Sequence, residues 1–275
     1  MNEGKNSMQT LDKEKLDILE NAIKECGVYA TEMQKNVHRM KKSDGSILTE
    51  VDLNISHKIL SLVANLFPEC AIVSEEEMTE EKKDAPFTFI LDPIDGTDVY
   101  SLGLPSFAIA LGILDKNKTP VGAMINAPRF GIAKESLFVR LDPYGDLYVD
   151  GEKFQYHKQA NEKAQVTMGS KSQKVFDLIS FDGKIRTFGS SILHLLLPAL
   201  IPEIKAAIVE PCFVWDITSA NAVLNHVGKH IEYANGDKFE YTDSFIWEKI
   251  PFKMPIFAGY DEDIAKLRKT IKYIG

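Results

Sequence analysis

Hydrophobic positions along this chain follow two successive periods. In residues 11–34, Leu16, Leu19, Ala22, Ile23 and Cys26 recur at helical spacing between charged residues, which predicts an amphipathic helix lying on a core. Val51, Ile55, Ile59, Leu62 and Val63 repeat that stripe, with Thr49 as the cap and Pro68 as the stop after Leu66. Between the two, Lys41-Lys42-Ser43-Asp44-Gly45-Ser46 reads as an exposed turn.

The period then shortens. Ala71-Ile72-Val73 and Phe87-Thr88-Phe89-Ile90-Leu91 are short apolar runs that predict buried strands, separated by an acidic loop over residues 75–84 that is too polar to be core. Residues 106–114, 121–126, 136–139 and 146–149 continue as strands, with turns at 115–118 and at Asp142-Pro143-Tyr144-Gly145. This half predicts an α+β unit built on a largely antiparallel sheet. After a polar stretch at 152–161, strand and helix signals alternate: strands at 166–168 and 206–209, helices at 191–200 and 217–227. The expectation is an α+β to α/β chain in two domains, residues 1–155 and 156–275.

Composition narrows the function classes. The 275 residues carry 44% hydrophobic and 26% charged side chains, as a soluble enzyme does. A net charge of -8 argues against a nucleic-acid polymer or an anionic membrane as partner, since both need a basic surface. A small anionic substrate fits if metal ions reverse the field locally. Cys26, Cys70 and Cys212 are odd in number and far apart, and read as buried free thiols of a reducing cytoplasm. The polar first ten residues resemble no signal peptide, and no apolar run is long enough to span a bilayer.

The chemistry gathers at turns. Asp92-Pro93-Ile94-Asp95-Gly96-Thr97 puts two carboxylates, a turn glycine and a hydroxyl at the end of a buried strand. Carboxylates this close resist joint ionisation unless a cation or proton lies between them, and oxygen ligands without histidine favour magnesium over zinc. Asp52, the run Glu75-Glu76-Glu77 and Asp216 after Trp215 stand at other predicted turns. In two-metal phosphatases the ions lie about 3.5 to 4 Å apart and clamp attacking and leaving oxygens, a spacing that a bridging Asp92 would hold. Gly96 and Thr97 open a helix whose free N–H groups attract phosphate, and Gly189-Ser190-Ser191 offers a second such entry. Taken singly, Thr49 and Asp52 make an ordinary capping pair, the glutamate run a solvated loop, Lys41-Lys42 a solvated pair and Trp215 a core anchor. Tyr100, Phe107 and Leu195-Leu196-Leu197 read as core.

Asp92-Pro93-Ile94-Asp95-Gly96-Thr97 and Trp215-Asp216 resemble the two signatures of the inositol monophosphatase superfamily. Lys42-Ser43-Asp44-Gly45-Ser46, Thr49-Glu50-Val51-Asp52 and Val73-Ser74-Glu75-Glu76 resemble its other landmarks, in the same order. The resemblance implies a layered α-β-α-β-α sandwich of the fructose-1,6-bisphosphatase-like sugar-phosphatase type. It implies that Glu76, Asp92 and the Ile94 carbonyl hold one Mg2+, that Asp92, Asp95 and Asp216 hold a second, and that a third binds weakly near the glutamate; Glu75 and Glu77 stay rival ligands. Asp52 and Thr97 would be catalytic, with Thr97, hydrogen-bonded to Asp52, activating the attacking water. Gly96, Thr97, Ser190 and Glu210 would contact substrate, lithium would inhibit, and monomers and homodimers both occur.

The implied activity is Mg-dependent hydrolysis of a small phosphorylated metabolite. Asp98-Val99-Tyr100 and Cys212-Phe213-Val214 depart from the inositol monophosphatase pattern, and Glu210 is one position from the expected inositol contact. The Lys-x-Asp-Gly-Ser segment, Ser74 in place of glycine, and Asn235-Gly236-Asp237-Lys238 resemble the 3′(2′),5′-bisphosphate nucleotidase branch instead. The reading therefore leans to adenosine 3′,5′-bisphosphate, with inositol-1-phosphate or fructose 1,6-bisphosphate as alternatives and a regulatory protein of the same fold behind them. An aspartyl-phosphate mechanism fails because Pro93 stands two before Asp95, and serine-hydrolase and P-loop strings are absent. His226 and His230 lack the glutamate of a zinc-protease pair.

Overall fold

A computed structural model describes residues 10–42, 45–77, 81–82, 84–159 and 164–275. The first nine residues, Ser43 and Asp44 of the early turn, and parts of the acidic loop and of the 152–161 stretch lie outside the described residues.

Two helices open the fold. In α1 (Lys13–Met33) the Asp12 side chain accepts from the Lys15 N–H at the N-terminus, and Leu16, Leu19, Ile23 and Cys26 face inward. A small hairpin, β1 (Met40–Lys41) and β2 (Ile47–Leu48), leads to α2 (Glu50–Leu66). Thr49 and Asp52 cap α2 reciprocally, a device worth about 1 kcal/mol.

The first sheet has seven strands in sequential order: β3 (Ala71–Ser74), β4 (Phe87–Asp95), β5 (Ala108–Asp115), β6 (Pro120–Ala127), β7 (Leu137–Leu141), β8 (Leu147–Val149) and β9 (Glu152–Lys153). All its pairings are antiparallel except β3 with β4. The short helix α3 (Thr97–Ser101) leaves the end of β4. Every residue of β4 is buried because both faces of this sheet are covered, which is why its sequence is a run rather than an alternation. Phe87, Phe89 and Leu91 pack with Leu19, Ile23, Ile55 and Ile59 of α1 and α2. Ile90 points the other way, joining Ala110 and Ile125 against α4 (Ser191–Leu200) and α5 (Thr218–His226).

The second sheet is mixed, in the order β12-β10-β13-β15-β14. Its strands are β10 (Gln165–Met168), β12 (Lys184–Arg186), β13 (Ile204–Val209), β14 (His230–Tyr233) and β15 (Ile256–Gly259), while β11 (Phe176–Asp177) pairs separately with β16 (Lys272–Tyr273). The first three are parallel, as the alternating βα signals imply. Ala207, Val209 and Ala258 face α4 and α5; Ala206, Ile208 and Phe257 face the opposite side, with Ile264 and Leu267 of α7 (Asp261–Thr270). A four-residue helix, α6 (Asp243–Ile246), precedes β15. The layers thus run α-β-α-β-α. Among the described residues no helix is long and apolar enough to cross a membrane.

The elements after residue 230 were not foreseen. Strands β14 and β15 are four residues each, and α7 shows only Ile264 and Leu267 to the core, so neither period extends far enough to register.

Candidate metal centre

The signature loop owes its geometry to a bulge. In a regular strand, residues three apart point to opposite faces, so Asp92 and Asp95 would diverge. Between them β4 shifts register: Asp92 lies opposite Ala110 and Asp95 opposite Ala108, three residues against two. One extra residue at Pro93-Ile94 turns Asp95 back to the face of Asp92. Proline suits this position because it has no N–H to offer the ladder.

Gly96 then adopts φ 88, and a side chain there would meet the Gly189 carbonyl at 3.1 Å and the Ser106 carbonyl at 3.3 Å. The bend lets α3 start at Thr97. The Thr97 hydroxyl lies 3.0 Å from Asp52 Oδ1 and 2.9 Å from the Ile94 carbonyl. Asp52 has two duties: Oδ2 accepts from the Thr49 N–H at 2.9 Å and from the Thr49 hydroxyl, while Oδ1 faces Thr97.

Asp216 comes from the other half of the chain. Its Oδ2 accepts from the Phe213 N–H at 2.7 Å, and Trp215 packs inside the turn, stacked on Phe213. The N-terminus of α5 presses directly onto β5, because a Cβ on Gly112 would lie 2.6 Å from Thr218 Cγ2 and 2.7 Å from the Ser219 nitrogen. That close approach carries Asp216 to the signature loop. Asp92, Asp95 and Asp216 each offer a carboxylate oxygen within 4.8 Å of the others.

The three acids are poorly solvated and mutually repulsive. Burial holds the Asp92 carboxyl well above the usual carboxylate range, and Glu75, Asp95 and Asp216 push it further. Asp216 is raised by burial, Asp95 and Glu75. Burial takes Asp95 to about 6 despite bonds from Ser190 and the Ile192 and Ser191 N–H groups. Asp52 likewise reaches about 6, by burial, against the bonds from Thr49 and Thr97.

Asp92 Oδ1 is buried and, among the described residues, has no hydrogen-bond partner. An orphaned carboxylate oxygen facing two more carboxylates fits a hard divalent cation, whose charge would satisfy all three.

The glutamate run divides differently from expectation. Parallel pairing sets Ser74 beside Leu91, and the Glu75 N–H reaches the Leu91 carbonyl at 3.4 Å, so Glu75 emerges next to Asp92. Glu75 lines the cavity with the aspartates, and Glu76, expected as the ligand, does not. Glu76 is buried against Lys42, whose ammonium lies 2.7 Å from both Glu76 and Glu75. Lys42 is thus ion-paired rather than solvated. Burial raises Glu75 to about 7, against the pull of Lys42.

Ser190 caps α4 through the Leu193 N–H, and its buried hydroxyl donates to Asp95 Oδ2. It therefore orients Asp95, and it is not among the cleft-lining residues described. Glu210 accepts from the Ser172 hydroxyl at 2.7 Å and braces the loop after β10. That loop carries Lys171 to the cavity, a cleft of about 430 Å³ that also exposes Gly96, Thr97, Ile94 and Asp98. Cys26 and Cys70 are buried free thiols as expected, while Cys212 is partly exposed and hydrogen-bonded to Asp216. Lys171 was missed because a lone lysine in a polar segment has no periodic signal; only the convergence of the loops brings it to the cleft.

Comparison with known proteins agrees with the geometry. The chain is 30% identical over 98 residues to the Nus factor SuhB of Haemophilus influenzae, covering 36% of this chain and 37% of that protein. It is 35% identical over 98 residues to the 3′(2′),5′-bisphosphate nucleotidase CysQ of the same organism, covering 34% of this chain and 36% of that one. These alignments therefore span little more than a third of either relative. A crystal structure of an IMPase/NADP phosphatase complexed with Mg2+ and phosphate shares the fold, at TM-score 0.73 and 18% identity over 92% of this chain and 95% of that one. The model of the inositol monophosphatase family matches residues 12–250, and the chain belongs to that family.

Proposed function

We propose that the protein is a Mg2+-dependent phosphomonoesterase acting on a small phosphorylated metabolite. The observation that carries this is the convergence of Asp92, Asp95 and Asp216 around an unpartnered carboxylate oxygen. Asp92, Asp95, Asp216, Glu75 and the Ile94 carbonyl would hold the ions, which supply charge neutralisation for the phosphate and an acidified water. The reading replaces Glu76 by Glu75. It also keeps two units divided near residue 155, with Asp92 and Asp95 coming from one and Asp216 from the other.

The chain's own groups account for the rest. Asp52, fixed by Thr49, accepts from the Thr97 hydroxyl, and Thr97 lines the cleft, where its oxygen would take a hydrogen bond from an attacking water. Ser190 and the Ser191 and Ile192 N–H groups hold the Asp95 carboxylate in place. The backbone of Gly96 and Thr97 lines the cleft where a phosphate would rest.

Within the class we favour a substrate with a second anionic group, of which adenosine 3′,5′-bisphosphate is the first example. Supporting this, Lys171 is the one lysine or arginine among the cleft-lining residues described, and a second phosphate would supply its partner. The likeness to CysQ points the same way. Phosphate release should be assayed across adenosine 3′,5′-bisphosphate, inositol-1-phosphate and fructose 1,6-bisphosphate, with and without Mg2+ and Li+. Lys171→Ala should raise KM for the nucleotide about ten-fold and leave that for inositol-1-phosphate unchanged. Equal effects on both substrates would remove the second-anion reading. Absence of Mg2+-dependent release from every substrate would favour the regulatory alternative, to which the name of the SuhB relative lends support.

A further inference from the structure

Lys249 lies in the connection between α6 and β15, far along the chain from the glutamate run, with its backbone in the left-handed region at φ 53. Its ammonium donates to the Ser74 carbonyl and to the Glu77 carbonyl, each at 2.6 Å, so it brackets Glu75 and Glu76 from both sides. The same ammonium sits 5.4 Å from the centre of the Trp215 ring, and Trp215 immediately precedes Asp216. One half-buried side chain thus touches the turn that bears Glu75 and the turn that bears Asp216.

We propose that Lys249 is a positioning residue of the metal centre, clamping the Ser74–Glu77 turn against Trp215 so that Glu75 is held at the aspartates. This rests on the reading of Glu75 as a ligand.

Three successive glutamates repel one another and pull such a turn toward solvent. Lys42 offsets that repulsion through the carboxylates of Glu75 and Glu76. A divalent ion taking up Glu75 would compete with Lys42 for the same oxygens. Among the described residues the hydrogen bonds of the Lys249 ammonium go to carbonyls, which the ion does not need, so its hold persists whether or not metal is bound. A left-handed backbone at a residue with a side chain is a strained conformation, and here it goes with delivery of the ammonium to that one turn.

Binding of Mn2+ alone, measured from the loss of the free-ion electron paramagnetic resonance signal, tests the proposal. Lys249→Met keeps the aliphatic stem over Trp215 and removes the charge. It should weaken Mn2+ binding about ten-fold, as loss of a group that orients a metal ligand does, while Lys249→Arg restores most of the affinity. In activity assays the Met variant should need about ten-fold more Mg2+ for half-maximal rate and keep its kcat at saturating metal within about three-fold. A role confined to fold stability would instead lower the melting temperature in EDTA and leave Mn2+ affinity within about two-fold of the parent, and that result overturns the proposal. If Lys249→Met does not fold, as judged by circular dichroism, Lys249→Gln is held to the same thresholds. Glu75→Gln, measured in parallel, separates the two readings. Unchanged affinity in Glu75→Gln rejects Glu75 as a ligand and the clamp with it. Weakened affinity there with unchanged affinity in the Lys249 variants rejects the clamp alone.

Discussion

Asp95 and Asp216 sit in the same cluster but are held by different elements, and replacing either by asparagine removes a charge without removing a packed group. Turnover of Asp95→Asn and of Asp216→Asn should fall at least about 100-fold at saturating Mg2+, with far-UV circular dichroism unchanged. Comparable turnover in parent and variants would reject the assignment. Thr97→Ala should lower kcat far more than it raises KM, because Asp52 orients the hydroxyl of a residue that lines the cleft. Several of these residues announce themselves in the sequence: Asp92, Asp95, Gly96, Thr97 and Asp216 are set at strand and helix ends where only chemistry or capping needs them. Glu75 does not, because three adjacent glutamates are equivalent until the parallel pairing of β3 with β4 aligns Glu75 with Asp92.

Among the elements, the approach of α5 to β5 decides whether Asp216 meets the signature loop at all. Gly112→Ala places a methyl group 2.7 Å from the Ser219 nitrogen, a backbone atom that cannot step aside. Overpacking of this kind costs about 1–3 kcal/mol, read as a lower urea midpoint. Because the strain moves the helix that follows Asp216, Mg2+ affinity should fall in the same variant. Stability unchanged within about 0.5 kcal/mol would mean that α5 can shift freely. The helices α1 and α2 were legible from their periodicity, since each buries one apolar face, and α4 and strand β4 from their unbroken apolar runs. Strands β14 and β15 were not, because four buried residues carry too few period repeats to stand out.

For the molecule as a whole, the acidic centre links stability to pH and metal. Glu75 has a folded pKa of about 7, and Asp92 and Asp216 lie well above the usual carboxylate value, all raised first by burial. A group whose folded pKa is raised binds more protons folded than unfolded, so its stabilisation is present at low pH and is lost as pH rises through the folded value. His194, lowered by burial to about 4, works in the opposite sense but only below its unfolded pKa of about 6.5. Between about pH 6.5 and 8, therefore, the melting temperature in EDTA should fall as pH rises. Mg2+ replaces the missing protons, so its stabilising shift should be larger at about pH 8 than at pH 6.5, on the order of 5 °C at 100 times Kd. A shift independent of pH would mean that the ion does not bind these carboxylates.

The sequence alone determined the family resemblance, the helices and strands of the first half and the acidic loop, because hydrophobic period and turn chemistry are local properties written residue by residue. Only the tertiary structure sets Glu75 beside Asp92, Ser190 against Asp95 and Glu210 against Ser172, brings Lys171 to the cleft and lays Lys249 on the turn of the glutamates. Those outcomes depend on strand register, one bulge and one close helix approach, which bring together positions distant along the chain and leave no trace in any short window of it.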